Sequence, residues 1–261
     1  MKPFIKWAGG KQRLIPHLPL PPTFTKYIEP FLGGGAMYYN IRTLYPDVEC
    51  WLSDINLELL NCYWVVRDNV RELITALEGH AYNHSIAYYM IIRNSKPTDP
   101  VASAARFIYL NKTGFNGLYR VNKKGEFNVP VGRYQNPTIC DKFGLLDASA
   151  VLRQRTVIMS RDFRYVTAND GDFIYLDPPY HQAQFTQYHQ SGFADDDHRA
   201  LAELCTKWAG CGAYVMVSNS DTDFVRELYQ GWKVKEVQVS RAINSNPQGR
   251  QPVTELVITN Y

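Results

Sequence analysis

Cysteine is too scarce and too scattered to organise this chain. Cys50, Cys62, Cys140, Cys205 and Cys211 are odd in number and none forms a Cys-x-x-Cys pair, so neither a disulfide framework nor a zinc site is expected, and a reducing compartment fits best. His80 and His84 lie one helical turn apart without an acidic or Cys neighbour to complete a ligand set, and no metal is expected. Long apolar runs are missing as well. The longest, Ile86 to Ile92, is far short of the roughly 20 residues that cross a bilayer, and the first residues hold no apolar stretch of about 7–15 residues as a secretory signal would. A cytoplasmic protein with no membrane partner is the expectation. An excess of one charge is also lacking: 28 Lys and Arg against 25 Asp and Glu leave a formal net charge of +3, which permits a polyanionic partner without demanding one.

A 261-residue chain that is 45% hydrophobic can bury one large core and carry an inserted lobe. Its centre is Phe173-Ile174-Tyr175-Leu176-Asp177-Pro178-Pro179-Tyr180, an apolar run that stops at an acid, two prolines and a ring. Proline fixes its own φ, supplies no N–H and biases the preceding residue towards extended geometry, so the run reads as a buried strand with a rigid tip that leaves carbonyl acceptors unused. A carboxylate, a carbonyl and the ring of Tyr180 at one point suit a planar ligand with an exocyclic amino group, as a nucleobase has. A plain Asp-Pro turn would read the same way in isolation.

Upstream, Lys6-Trp7-Ala8-Gly9-Gly10-Lys11 sets two cations and an indole around a glycine turn, which suits close approach to an anionic or zwitterionic ligand or simply an exposed loop. Tyr27 to Ala36 reads as strand, glycine turn and helix start, the usual way for a doubly wound α/β fold to bring backbone N–H groups to a nucleotide-like ligand. Gly33 and Gly35 begin a dinucleotide fingerprint, but position 38 is Tyr, which weakens a nicotinamide-cofactor reading. Asp54 ends a second strand about 20 residues beyond the glycines, where ribose hydroxyls are held, and could equally cap a helix over residues 55–67.

Helical periodicity then runs to about residue 145, with segments at 70–77, 85–93 and 101–110. Lys112 to Tyr134 differs from its surroundings. Asn122-Lys123-Lys124-Gly125 between two β-prone runs predicts a hairpin, and Lys112, Arg120, Lys123, Lys124 and Arg133 interleave with Phe115, Tyr119, Phe127 and Tyr134. Cations among aromatics on a projecting hairpin suit phosphate contact plus insertion among bases, or a solvated basic hairpin. Beyond it, strands at 156–160, 173–176, 213–218, 233–239 and 254–260 alternate with helices at 196–208 and 223–230, which predicts a mainly parallel sheet with an antiparallel pair at one edge. His181 to Phe193 reads as a lid or a plain connection, and a basic loop joins the last two strands.

Four of these stretches together are similar to the Dam-type DNA adenine-N6 methyltransferases of the D12 class, alpha group: Lys6 to Lys11, Glu29 to Ala36, Asn116 to Arg120 with Gly125 to Pro130, and Asp177 to Tyr180. The resemblance covers almost the whole chain in the family's order. It departs where Gly34 and Gly35 stand for a common Gly-Ser-Gly and Trp7 for a Tyr. It implies a doubly wound, Rossmann-like methyltransferase sheet over residues 1–60 and 146–261, with a helical and β-hairpin DNA-recognition insertion at 61–145. It implies S-adenosylmethionine as donor, S-adenosylhomocysteine as product, no metal, and double-stranded DNA as partner of a monomer or weak dimer, bacterial or phage-encoded. Trp7, Lys11, Gly33, Gly35, Asp54 and Asp177 are then donor-binding, with Asp162 and Phe163 around the donor's adenine. Asp177, Pro178 and Tyr180 are catalytic, and the target base flips into their pocket. Lys6, Leu118, Arg120 and Pro130 face the bases of GATC, Tyr119 or Asn122 wedges into the stack, and Asn116, Lys123 and Arg133 complete the DNA contacts. Cytosine-N4 or RNA-adenine methylation are the nearest rivals, and a silent GATC-reading module is the non-enzymatic one. Cytosine-C5 chemistry needs a thiolate, usually in a Pro-Cys context, and no Cys here follows a Pro.

Overall fold

The computed structural model describes residues 1–182, 193–240 and 252–261. Its framework is a seven-stranded sheet in the order β3-β2-β1-β4-β5-β7-β6. The strands are β1 (Lys26–Glu29), β2 (Glu49–Asp54), β3 (Thr156–Ser160), β4 (Phe173–Leu176), β5 (Tyr214–Ser220), β6 (Lys233–Ser240) and β7 (Pro252–Thr259). The first five run parallel. β7 then inserts antiparallel between β5 and β6. This is the expected doubly wound α/β sheet with its antiparallel edge.

Side-chain alternation explains why β4 is apolar throughout. Phe173 and Tyr175 point into one core with Met37, Leu60 and Phe107. Ile174 and Leu176 point into the other, with Leu201, Cys205 and Trp208. A strand covered on both faces loses the polar half of the usual alternation. One face carries α1 (Ala36–Leu44), α2 (Leu57–Asp68) and α5 (Pro100–Thr113), and the other α7 (Asp195–Gly210) and α8 (Asp223–Leu228). Beyond α2, the helices α3 (Val70–Tyr82) and α4 (Ile86–Asn94) pack on α5.

Several local expectations need correction. α2 starts at Leu57, and its cap is Asn56, whose side chain accepts from the N–H of Leu59; Asp54 is therefore left to another task. α6 (Lys142–Leu152) was not foreseen; its signals are the Asp141 cap and the buried Leu145, Ala148 and Leu152. The expected hairpin is present as a short antiparallel arm, with Val121 bridged to Phe127 and Gly114 to Val131, and with backbone bonds from the Asn122 N–H to the Glu126 carbonyl and from the Asn128 N–H to the Arg120 carbonyl. Asn122 also braces the tip, its Oδ1 accepting from the N–H groups of Lys124 and Glu126 in an Asx-type turn. Most of the lid expected at 181–193 and the basic loop between β6 and β7 lie outside the described residues.

Candidate active site

The parallel strands β1, β2 and β4 end at one edge of the sheet with Glu29, Asp54 and Asp177 at or just beyond their last residues. Strand order reverses between β1 and β4, and the crevice at such a switch point is where doubly wound folds take their ligands.

Asp177 has a built environment. Its Oδ1 lies 2.9 Å from Lys11 Nζ, and that ammonium also donates to the Gly9 carbonyl at 2.7 Å and stands 4.5 Å over the Tyr180 ring. Lys11, only 5% exposed, thus fastens the N-terminal glycine turn to the tip of β4. Although 21% of the Asp177 side chain reaches solvent, protein surrounds the carboxyl group. Burial pushes it up to about 6, Lys11 pulls the other way and Glu255 adds to the rise. Glu29 is fully enclosed, accepts from the Tyr27 hydroxyl at 2.8 Å, and is held well above the usual carboxylate range, chiefly by burial.

The glycine turn after β1 is set by close approach. Gly33 (φ +48°) and Gly35 (φ +67°) adopt left-handed backbone, and a Cβ on Gly33 would come within 2.8 Å of the Trp7 ring. Asp54 accepts from the N–H of Gly33 at 3.0 Å and of Asn56 at 3.0 Å, so the acid at the end of β2 braces the turn that follows β1. Gly35 caps α1 without a side-chain acceptor, which leaves the helix start suited to an anionic group. Farther along the edge, Phe163 is buried beside Phe31 and Phe193, with ring centroids 5.5 and 5.6 Å away. Asp162 caps the turn there and pairs with Arg164. Carboxylate, glycine cradle, helix start and aromatic cluster form a row that fits an amino-acid-bearing nucleoside.

The recognition candidates lie beside this row. Lys6 is locked through its main chain, with its N–H donating to Asn111 Oδ1 at 2.8 Å and its carbonyl accepting from Asn111 Nδ2 at 2.7 Å. The same amide reaches the Gly117 carbonyl at 3.0 Å. The Lys6 ammonium lies 4.5 Å over the Tyr134 ring. Arg120 is exposed, and its Nε donates to Asn128 Oδ1 at 2.7 Å, which fixes the plane of the guanidinium. Pro130, Asn116, Lys123 and Arg133 are exposed and Leu118 is half-buried. The two wedge candidates are engaged elsewhere. Tyr119 stacks on Trp7 and Phe107 and donates to Glu58, and Asn122 holds the turn. The rings that do reach solvent on this segment are Phe115 (38%) and Tyr134 (37%). Phe115 sits next to Asn116, whose φ is +54°.

Three residues close to the site escaped sequence reasoning: Asn111, Asn219 and Glu255. Asn219, 1% exposed at the end of β5, accepts through Oδ1 from the N–H of His181 at 3.1 Å, while its amide nitrogen has no hydrogen-bond partner among the described residues. Ser220 Oγ donates to the His181 carbonyl at 2.7 Å. Glu255 on β7 accepts from the Tyr180 hydroxyl at 2.8 Å. No sequence spacing announces such long-range partners.

Compared with known proteins, residues 7–243 match the family model described as D12 class N6 adenine-specific DNA methyltransferase. The chain is similar to the Type II methyltransferase M1.LlaDCHI of Lactococcus lactis subsp. cremoris, at 38% identity over 100% of this chain and 96% of that protein. It is similar also to the Type II methyltransferase M.MjaIII of Methanocaldococcus jannaschii, at 40% over 100% and 99%. The DNA adenine methylase of Escherichia coli K12 is 35% identical over 97% and 93%.

Proposed function

This chain belongs to the D12 class of N6 adenine-specific DNA methyltransferases, and from that membership we propose that it methylates adenine in the duplex sequence GATC, using S-adenosylmethionine, after turning the target base out of the helix. The observation that carries the proposal is the tip of β4, where Asp177, held by Lys11 and flanked by Tyr180, stands at the switch point of the sheet. Incubating the protein with donor and a GATC duplex tests it: N6-methyladenine and S-adenosylhomocysteine are expected in equal amounts, and neither from a duplex without adenine in that context.

The donor supplies a methyl group already activated by its sulfonium. Positioning is therefore the larger part of what this chain does. Trp7, the Gly33–Gly35 turn and Asp54 would hold the amino-acid and ribose portions, and Phe163 with Asp162 the adenine of the donor. The acceptor nitrogen is poor because its lone pair is delocalised into the purine. Hydrogen bonds from the amino group to the Asp177 carboxylate and the Pro178 carbonyl favour a tetrahedral nitrogen and stabilise the positive charge that develops on it. Tyr180 offers a face on which the extrahelical base stacks. The vacancy left in the duplex is filled by an exposed ring, and the exposure of Phe115 supports that residue rather than the packed Tyr119. Residues 61–145 serve as the recognition unit in this reading, and residues 1–60 and 146–261 as the catalytic one. The chain works in the cytoplasm, where its DNA is.

Asp54→Ala should raise the dissociation constant for S-adenosylhomocysteine about tenfold, since it removes a charged acceptor and the brace on Gly33, while kcat at saturating donor changes little. Calorimetric titration of the product measures this, and unchanged affinity would remove Asp54 from the donor site.

Activity should also carry an acid limb. Asp177 must be ionised to stabilise the positive charge that develops on the target nitrogen, and its carboxyl is held at about 6. The group is protonated below that value, so kcat falls as pH drops through 6 and levels above it. Single-turnover rates from pH 5 to 8 measure the limb, and a flat profile would contradict an ionised Asp177.

A further inference from the structure

Tyr180 is tied to the protein at two points. One is the Lys11 ammonium over its ring face at 4.5 Å, and the other is its hydroxyl, which donates to Glu255 Oε2 at 2.8 Å. The second tie crosses the sheet's antiparallel edge, because Glu255 lies on β7 opposite Ser220 at the end of β5. A tyrosine that needed only to present a ring would not need a carboxylate on its hydroxyl. The neighbouring backbone is stapled too, with His181 held by Asn219 and Ser220 from β5. The segment from Pro178 to His181 is thus gripped by β5 and β7 on one side and by the N-terminal turn on the other.

We propose that Glu255 is a positioning residue for methyl transfer: by holding the Tyr180 hydroxyl it fixes the tilt of the ring on which the target adenine stacks, and makes β7 part of the target pocket. This rests on the reading of Asp177 and Tyr180 as the site of methyl transfer. A charge-assisted hydrogen bond of this length gives a defined ring orientation, where an unpaired phenol would sample several. The adenine's approach to Asp177 depends on that orientation, so loosening the ring lowers the chemical step more than it weakens DNA binding. Glu255 also contributes to the electrostatics of the tip. The titratable groups facing Asp177 are Lys11 from the N-terminal turn, Glu29 after β1, Tyr175 on β4, Tyr180 and Glu255. Glu255 is among the causes of the raised Asp177 carboxyl.

The test compares Glu255→Ala, Glu255→Gln and Tyr180→Phe in the full chain on a GATC duplex, with a second duplex carrying 2-aminopurine at the target adenine. Glu255→Ala and Tyr180→Phe should each lower kcat roughly tenfold or more, the loss expected for one hydrogen bond to a charged group, with KM for DNA little changed. The double variant should be no worse than either single one, because both remove the same bond. Glu255→Gln, whose amide oxygen can still accept, should recover most of the rate. The acid limb should move to lower pH in both Glu255 variants and stay in place in Tyr180→Phe. The 2-aminopurine signal of the extrahelical base should change in Glu255→Ala and Tyr180→Phe alike. Should Glu255→Ala unfold, the Tyr180→Phe and Glu255→Gln pair still decides. A Tyr180→Phe enzyme with unaltered kcat and 2-aminopurine signal, or additive losses in the double variant, would overturn the inference. If the wild-type chain itself does not methylate the duplex, the functional reading fails instead.

Discussion

Asp177→Ala is expected to abolish methyl transfer, with kcat falling by at least about a thousandfold, while the protein still binds duplex DNA. The size follows from what is removed. In the proposed reaction the carboxylate would be the acceptor that localises the lone pair on the target nitrogen and the counter-charge for the cation formed there, and both effects would grow from ground state to transition state. The same change leaves the buried Lys11 ammonium without its 2.9 Å partner. Removing one member of a buried pair costs up to about 3–5 kcal/mol, although Lys11 keeps the Gly9 carbonyl. Thermal unfolding should therefore be followed beside activity. Asp177→Asn keeps the shape and one acceptor oxygen and separates the two effects: it should be markedly more stable than the Ala variant and still slow. Substantial turnover by a folded Asp177→Ala protein would remove the residue from the reaction.

Arg120→Ala is expected to cost about 1–3 kcal/mol of discrimination at one outer base pair of the site, while a Lys123→Ala change weakens all sequences alike. Arginine can address the O6 and N7 of guanine with its planar fork, and that geometry is held in place here because Asn128 Oδ1 takes Nε at 2.7 Å. The plane is oriented before DNA arrives, so less entropy is lost on contact. On the proposed reading Leu118 and Pro130 would offer apolar contact to the thymine methyl, and Lys6, whose main chain is held by Asn111, a donor to the other guanine. Competition between GATC and duplexes altered at each outer position measures the effect. An Arg120→Ala enzyme with unaltered site preference would refute the assignment.

The parts of this molecule that were readable in advance are those where local sequence and tertiary need agree. β4 declares itself because burial on both faces demands a continuous apolar run, and the two prolines after Asp177 end it in only one way. Gly33 and Gly35 declare themselves because the Trp7 ring and the Tyr63 hydroxyl leave no space for a side chain. The unreadable parts are contacts between distant stretches. Asn111 serves Lys6 across 105 residues, Glu255 serves Tyr180 across 75 and Asn219 serves His181 across 38. An asparagine or glutamate in a helix or strand carries no local mark of such work. Tyr119 is a further case: Trp7 and Phe107, distant in sequence, stack on it at 5.7 and 5.1 Å, an engagement that its cationic neighbours do not announce; each such pair contributes about 0.5–1.5 kcal/mol.

The proposed reaction places a methyl group on the adenine of GATC. It is tested most directly by expressing the full chain in a host without adenine methylation and reading modified bases across the genomic DNA. N6-methyladenine is expected at GATC on both strands, and its loss with Asp177→Ala. N6-methyladenine concentrated at another sequence, or none at all from the folded wild-type protein, would contradict it.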